Sequence, residues 1–125
     1  MAWVVRAGVA GVQSLIDGYN EHLRVPGLFG FSVQYAPGMT IEKLAMAAKF
    51  PHAQISFAEE AALAAALASL GYTMRLVQSP GAAYHHTFAV LYDATGMAIH
   101  SLPLDAASAI SRMFQRRPNP YLSGQ

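Results

Sequence analysis

The residues best suited to chemistry are His85, His100, Arg75 and Thr87, all in the last half of the chain. If residues 84–92 and 97–102 are strands joined by the four-residue loop Asp93-Ala94-Thr95-Gly96, Tyr92 lies opposite Met97. The pleat then turns His85, Thr87 and His100 to one side and Phe88, Val90 and Tyr92 to the other. A preceding strand over 72–78 offers Met74 and Leu76 to the apolar side, which leaves Arg75 beside the two imidazoles. Such a set suits metal-independent cleavage of RNA. One imidazole accepts the 2′-hydroxyl proton, the other protonates the leaving oxygen, the guanidinium holds the phosphate, and the threonine hydroxyl assists.

This geometry depends on register. A slip of one residue exchanges the faces and brings His86 into the place of His85. In the first register His86 stands between Tyr84 and Phe88 on the apolar side, where a buried imidazole is expected to be hydrogen-bonded and structural. Metal ligation by His85, His86 and His100 is disfavoured, because adjacent strand residues point to opposite faces and neither HxxxH nor HExxH spacing occurs. No metal and no other cofactor is expected. His52, in a loop after Phe50-Pro51, reads as part of a solvated turn.

The elements that must hold these residues are legible from periodicity and turn chemistry. Residues 2–7 read as a strand, and Val12, Leu15, Ile16, Tyr19 and Leu23 recur at helical spacing up to Pro26-Gly27. Residues 29–36 alternate as a half-buried strand. Thr40 is an N-cap for a helix that ends at Phe50-Pro51, and Gln54 to Phe57 is a brief apolar stretch. The run from Ala58 to Gly71 is an alanine-rich helix with Ser56 as a candidate cap. Glu59 and Glu60 suit the positive end of its dipole, while Arg112, Arg116 and Arg117 collect at the far end of a closing helix over 104–114. Neither charge group requires a ligand. Residues 116–125 are expected to be an extended tail.

These elements imply one α+β domain over 1–125, an antiparallel sheet of four to five strands with three to four helices packed mainly on one face. The chain is 54% hydrophobic and 12% charged, about half the usual charged fraction. That surplus favours burial in a homo-oligomer, against a partner, or within a parent protein. A net charge of +1 is too small to recruit nucleic acid through a long-range field. The absence of cysteine removes disulfides, thiolate metal sites and a thiol nucleophile. Phosphate loops, GxSxG elbows and dinucleotide fingerprints are missing from the pattern. The opening Met1-Ala2-Trp3-Val4-Val5-Arg6 is neither a secretory signal nor a membrane span, so cytoplasmic synthesis is the expectation and no membrane partner is foreseen.

Five strings, Gly30-Phe31-Ser32-Val33-Gln34, Lys49-Phe50-Pro51, Gln54-Ile55-Ser56, Tyr84-His85-His86-Thr87 and Arg117-Pro118-Asn119-Pro120, resemble segments of small C-terminal toxin domains in bacterial polymorphic (Rhs-type) secretion systems. They are spread over most of residues 28–120. The resemblance implies an effector released from a delivery protein, passed into another cell and met there by an immunity protein. It also implies an antiparallel sheet with helices on one side and a site on the other, often for RNA cleavage, although such domains are commonly more basic than this one. The leading expectation is therefore a toxin-like effector acting on RNA. The alternatives are a non-enzymatic interaction or oligomerisation domain with Pro118-Asn119-Pro120 as a peptide ligand, and an NAD-consuming or ADP-ribosylating effector for which no site can be placed.

Overall fold

The computed structural model describes residues 2–20, 30–78 and 86–123. In chain order the elements are β1 (Trp3–Ala7), α1 (Val12–Asn20), β2 (Phe31–Tyr35), α2 (Ile41–Ala48), β3 (Gln54–Glu59) and α3 (Glu60–Ala68). They continue with β4 (Thr73–Gln78), β5 (His86–Tyr92), α4 (Leu104–Met113), β6 (Gln115–Pro118) and the short α5 (Pro120–Ser123). The strands form one sheet in the order β4-β5-β2-β1-β3-β6, with every pairing antiparallel. The fold is α+β as foreseen, with more strands among the described residues than the four to five expected.

Alternation along each strand divides the core in two. Val4, Phe31, Val33, Ala89 and Leu91 meet Leu15 and Tyr19 of α1, Leu63 and Leu67 of α3, and Ile110 of α4. On the opposite face Val5 and Ile55 meet Ile41, Leu44 and Ala45 of α2. Helix α2 begins as expected, since Thr40 is extended and its Oγ1 accepts the Lys43 amide at 3.1 Å.

Ser56 is not a cap. It is fully buried in β3, donating to Gly8 O at 2.6 Å and accepting from Ala10 N at 3.1 Å, so it pins the turn after β1. The strand runs on to Glu59, and α3 starts without any side-chain cap.

The expected free tail is tied down. Gln115–Pro118 pairs with β3 as an edge strand, a position where a proline removes no needed ladder bond. Asn119 is fully buried and donates from Nδ2 to Phe50 O and His52 O at 2.8 and 2.9 Å. Pro118-Asn119-Pro120 therefore belongs to the fold and is not displayed as a peptide ligand.

The expected strand over 97–102 shrinks to one bridge, Tyr92↔Ala98. The turn explains the change. Asp93 N–H donates to Met97 O at 2.9 Å, and Gly96 takes φ 85°, so three residues rather than four make the loop and the register moves by one. Beyond the bridge α1 captures the chain, with Tyr19 Oη donating to Ile99 O at 2.5 Å and Leu102 N donating to Asn20 Oδ1 at 3.1 Å.

Candidate functional site

The four-residue constellation does not assemble as expected. Strand β4 pairs with β5 as Thr73↔Tyr92, Arg75↔Val90 and Gln78↔Thr87, so Arg75 and Thr87 lie on opposite faces. Met74 and Leu76 do reach an apolar face, but it is the face of Ala89 and Leu91. Thr87 is buried on that side. Nor is β5 open along its length, because every residue from Thr87 to Leu91 is buried and only His86 and Tyr92 at its ends are partly exposed. His100 is exposed and lies past the bridge, and Ile99, expected opposite Val90, hydrogen-bonds to Leu91 and packs in its cluster instead. His85 lies outside the described residues.

The one-residue slip places His86 on the face of Arg75, as the alternative register foresaw. The two do not form a site together. Arg75 is level with Val90, four residues or about 13 Å along the strand from His86. Its guanidinium lies 5.2 Å from the centroid of the Tyr92 ring, at the far end of β5.

His86 instead meets Ser32. It pairs across the ladder with Gln34, and its Nε2 is hydrogen-bonded to Ser32 Oγ on the diagonal position of β2. The Phe88 ring stands edge-on to the imidazole, 5.1 Å between centroids, and holds it from the other side. With the imidazole proton on Nδ1, Ser32 O–H donates to Nε2, so this nitrogen already accepts from a hydroxyl.

From the opposite face, that of Val4 and Phe31, Arg6 of β1 reaches the Ser32 backbone. The β1–β2 ladder contains only Val4↔Tyr35 and Val5↔Gln34. At the next position Arg6 Nη1 donates to Ser32 O at 2.6 Å, in place of a strand-to-strand bond. Its guanidinium carbon lies 5.4 Å from the centroid of the Phe31 ring. Among the described residues no carboxylate pairs with it, the one ion pair there being Arg117–Glu42. Burial pulls the Arg6 guanidinium well below its ordinary value, to about 10.

Sequence reasoning named neither Ser32 nor Arg6 as site residues. Arg6 did carry a signal, a charged residue inside an otherwise apolar first strand. Ser32 carried none, since its position in an alternating strand reads as solvent-facing. No protein-family model, curated protein or solved structure matches this chain.

Proposed function

We propose that this chain is an RNA-cleaving effector domain of the toxin type, in which His86 performs the proton transfer expected of His85. The supporting observation is the hydrogen bond between His86 Nε2 and Ser32 Oγ, an imidazole held within reach of a hydroxyl on the sheet face. In the reaction a substrate 2′-hydroxyl takes over the contact with Nε2 and gives up its proton. The alkoxide attacks phosphorus, the 5′-oxygen leaves with a proton from water, and a cyclic phosphate remains. Ser32 holds the ring before substrate arrives, and Arg6, bonded to the Ser32 carbonyl, fixes that turn of the backbone.

Expression of the wild type and of His86→Ala in bacteria tests the reading. Growth arrest with fragmented RNA in the wild type and normal growth in the variant is the expected result. Equal growth with intact RNA in both removes it.

A second reading, an interaction or oligomerisation domain, draws on a different surface. The solvent side of α3 presents Ala61, Ala62, Ala65 and Ala68 with no charged side chain among them. Leu70 and Leu104 are 41% and 67% exposed in the segments next to it. Sedimentation in dilute solution decides here, since a monomer at all concentrations excludes self-association through this face.

A further inference from the structure

The two edges of the sheet differ in what they offer a neighbour. At the β6 edge, Gln115–Pro118 carries Arg116, Arg117 and a proline, features that blunt an edge against further pairing. At the other edge β4 runs for six residues with no proline and a single charge, Arg75, and all six pair with β5 without a bulge.

The outward backbone of β4 can be read from Leu91. In an antiparallel strand the N–H and C=O of one residue point the same way, and successive residues alternate between the two neighbouring strands. Leu91 N–H donates to Tyr19 Oη and Leu91 O accepts from Ile99 N, both on the side of the Tyr92↔Ala98 bridge and away from β4. The β5 residues that bond to β4 are therefore Phe88, Val90 and Tyr92, and their partners are Val77, Arg75 and Thr73. Met74, Leu76 and Gln78 turn their N–H and C=O outward, and among the described residues no strand lies beyond them.

We propose that this edge joins a second copy of the chain, β4 against β4 in antiparallel, about a two-fold axis at Leu76. Opposed residues must share a face, so an axis near mid-strand falls on Arg75 or on Leu76. Centred on Arg75, two guanidinium groups oppose each other with Cα atoms about 4.5 Å apart. Gln78 then falls opposite Tyr72, whose N–H is already bonded to Leu67 O. Centred on Leu76, Met74 meets Gln78 of the second copy, Leu76 meets its own counterpart, and Arg75 lies beside Val77. Every outward residue is then paired, with about six hydrogen bonds in all, two for each opposed pair, and no like charges are opposed. The blunted β6 edge makes the assembly close at two copies instead of growing. The contact also covers Met74 and Leu76, both partly exposed, in a chain that is 54% hydrophobic. It uses neither the α3 face nor the Ser32–His86 pair.

Sedimentation of the full-length chain from micromolar to near-millimolar concentration, with amide exchange followed over the same range, tests the proposal. A dimer is expected, in which the amides of Met74, Leu76 and Gln78 exchange slowly when concentrated and quickly when dilute. Those of Thr73, Arg75 and Val77 stay slow throughout, because β5 holds them. Gln78→Pro removes an outward N–H and leaves the β5 ladder intact, so it is expected to weaken the dimer about tenfold or more. Slow exchange at Arg75 in that variant shows that its sheet is whole. Val77→Glu, beside Arg75 of the second copy, is expected to tighten the dimer and Val77→Lys to loosen it, each about severalfold. A monomer at every concentration overturns the proposal. So does a dimer in which Met74, Leu76 and Gln78 exchange as fast as in the dilute protein, because association then uses another surface. Equal effects of Val77→Glu and Val77→Lys overturn the axis at Leu76.

Discussion

Ser32 and His86 touch across the β2–β5 ladder as diagonal neighbours, His86 lying opposite Gln34 and Ser32 opposite Phe88. A diagonal contact on a pleated sheet needs side chains that lean toward each other, and the edge-on Phe88 ring leaves the imidazole that direction. If His86 takes the proton and Ser32 positions it, the two substitutions separate in magnitude. His86→Ala should lower cleavage of an RNA oligonucleotide by about 10²-fold or more. Ser32→Ala should cost about tenfold and move the acidic limb of the pH–rate profile, because the base remains but its hydrogen bond is lost. Equal losses with an unmoved profile would contradict this division of roles.

Arg6 is a buried cation whose compensation is a carbonyl and an aromatic ring rather than a carboxylate. Burial depresses its folded pKa to about 10, so at neutral pH the charge is a net electrostatic cost, relieved only as pH rises above about 10 toward the ordinary guanidinium range. Breaking a buried ion pair usually costs about 3–5 kcal/mol because a partner charge is stranded. No charge is stranded here. Arg6→Met removes that electrostatic cost but also the donor to Ser32 O, so unfolding free energy in urea should change by about 1 kcal/mol or less. A loss of several kcal/mol would show that the buried cation is net stabilising.

How far the sequence discloses such a site depends on register more than on element type. Thr40 as a cap and the helix end at Gly71 were readable because each rests on local backbone geometry. The face of Arg75 was not, since it depends on whether Thr73 pairs with Tyr92 or with a neighbour. Similarly, Asp93-Ala94-Thr95-Gly96 announced a turn, but the left-handed Gly96 makes the loop one residue shorter than a count of turn formers suggests. Ser56 stands where a cap is expected, just before an alanine-rich run. Its hydroxyl instead serves Gly8 and Ala10, 48 and 46 residues away, which no local pattern announces. The one-residue ambiguity foreseen at His86 was the informative one, because both registers could be written down in advance.

Tyr19 should prove necessary for the path of residues 98–102. Its buried hydroxyl accepts from Leu91 N at 3.1 Å and donates to Ile99 O at 2.5 Å, joining α1, β5 and the segment after the bridge. Tyr19→Phe keeps the ring and strands both backbone groups, a cost of about 1–3 kcal/mol. Urea denaturation gives the loss, and amide exchange should quicken at Leu91. Unchanged exchange there would exclude the hydroxyl as the link.

Alkaline unfolding has a defined window. Tyr35 Oη donates to Glu60 Oε2 at 2.6 Å, and the bond to that carboxylate raises the phenol from 10.0 to about 12. The unfolded chain loses this proton first, so the contribution is complete below pH 10.0 and is lost as pH rises toward about 12. The melting temperature of the wild type should fall more steeply over that interval than that of Tyr35→Phe. Parallel curves would show that the contact adds no pH-dependent stability.

Gly30 should be the least replaceable residue next to the site. It takes φ 127°, and a Cβ built on it would lie 2.6 Å from Ala89 O and 3.0 Å from Ala89 C. Both atoms are backbone of the sheet-interior strand β5, held by pairing on two sides, and cannot give way as a flexible side chain would. Gly30→Ala thus adds a forbidden dihedral to a steric clash, and the expected loss is about 3 kcal/mol or more in urea. The same residue leads directly into β2, so relief of the clash must move Phe31 and Ser32 away from Ala89 and Phe88. Under conditions where Gly30→Ala still folds, the His86 ring protons should therefore shift as they do in Ser32→Ala. A variant that loses stability but keeps the wild-type His86 signals would show that the Ser32–His86 contact does not depend on this close approach of the two strands.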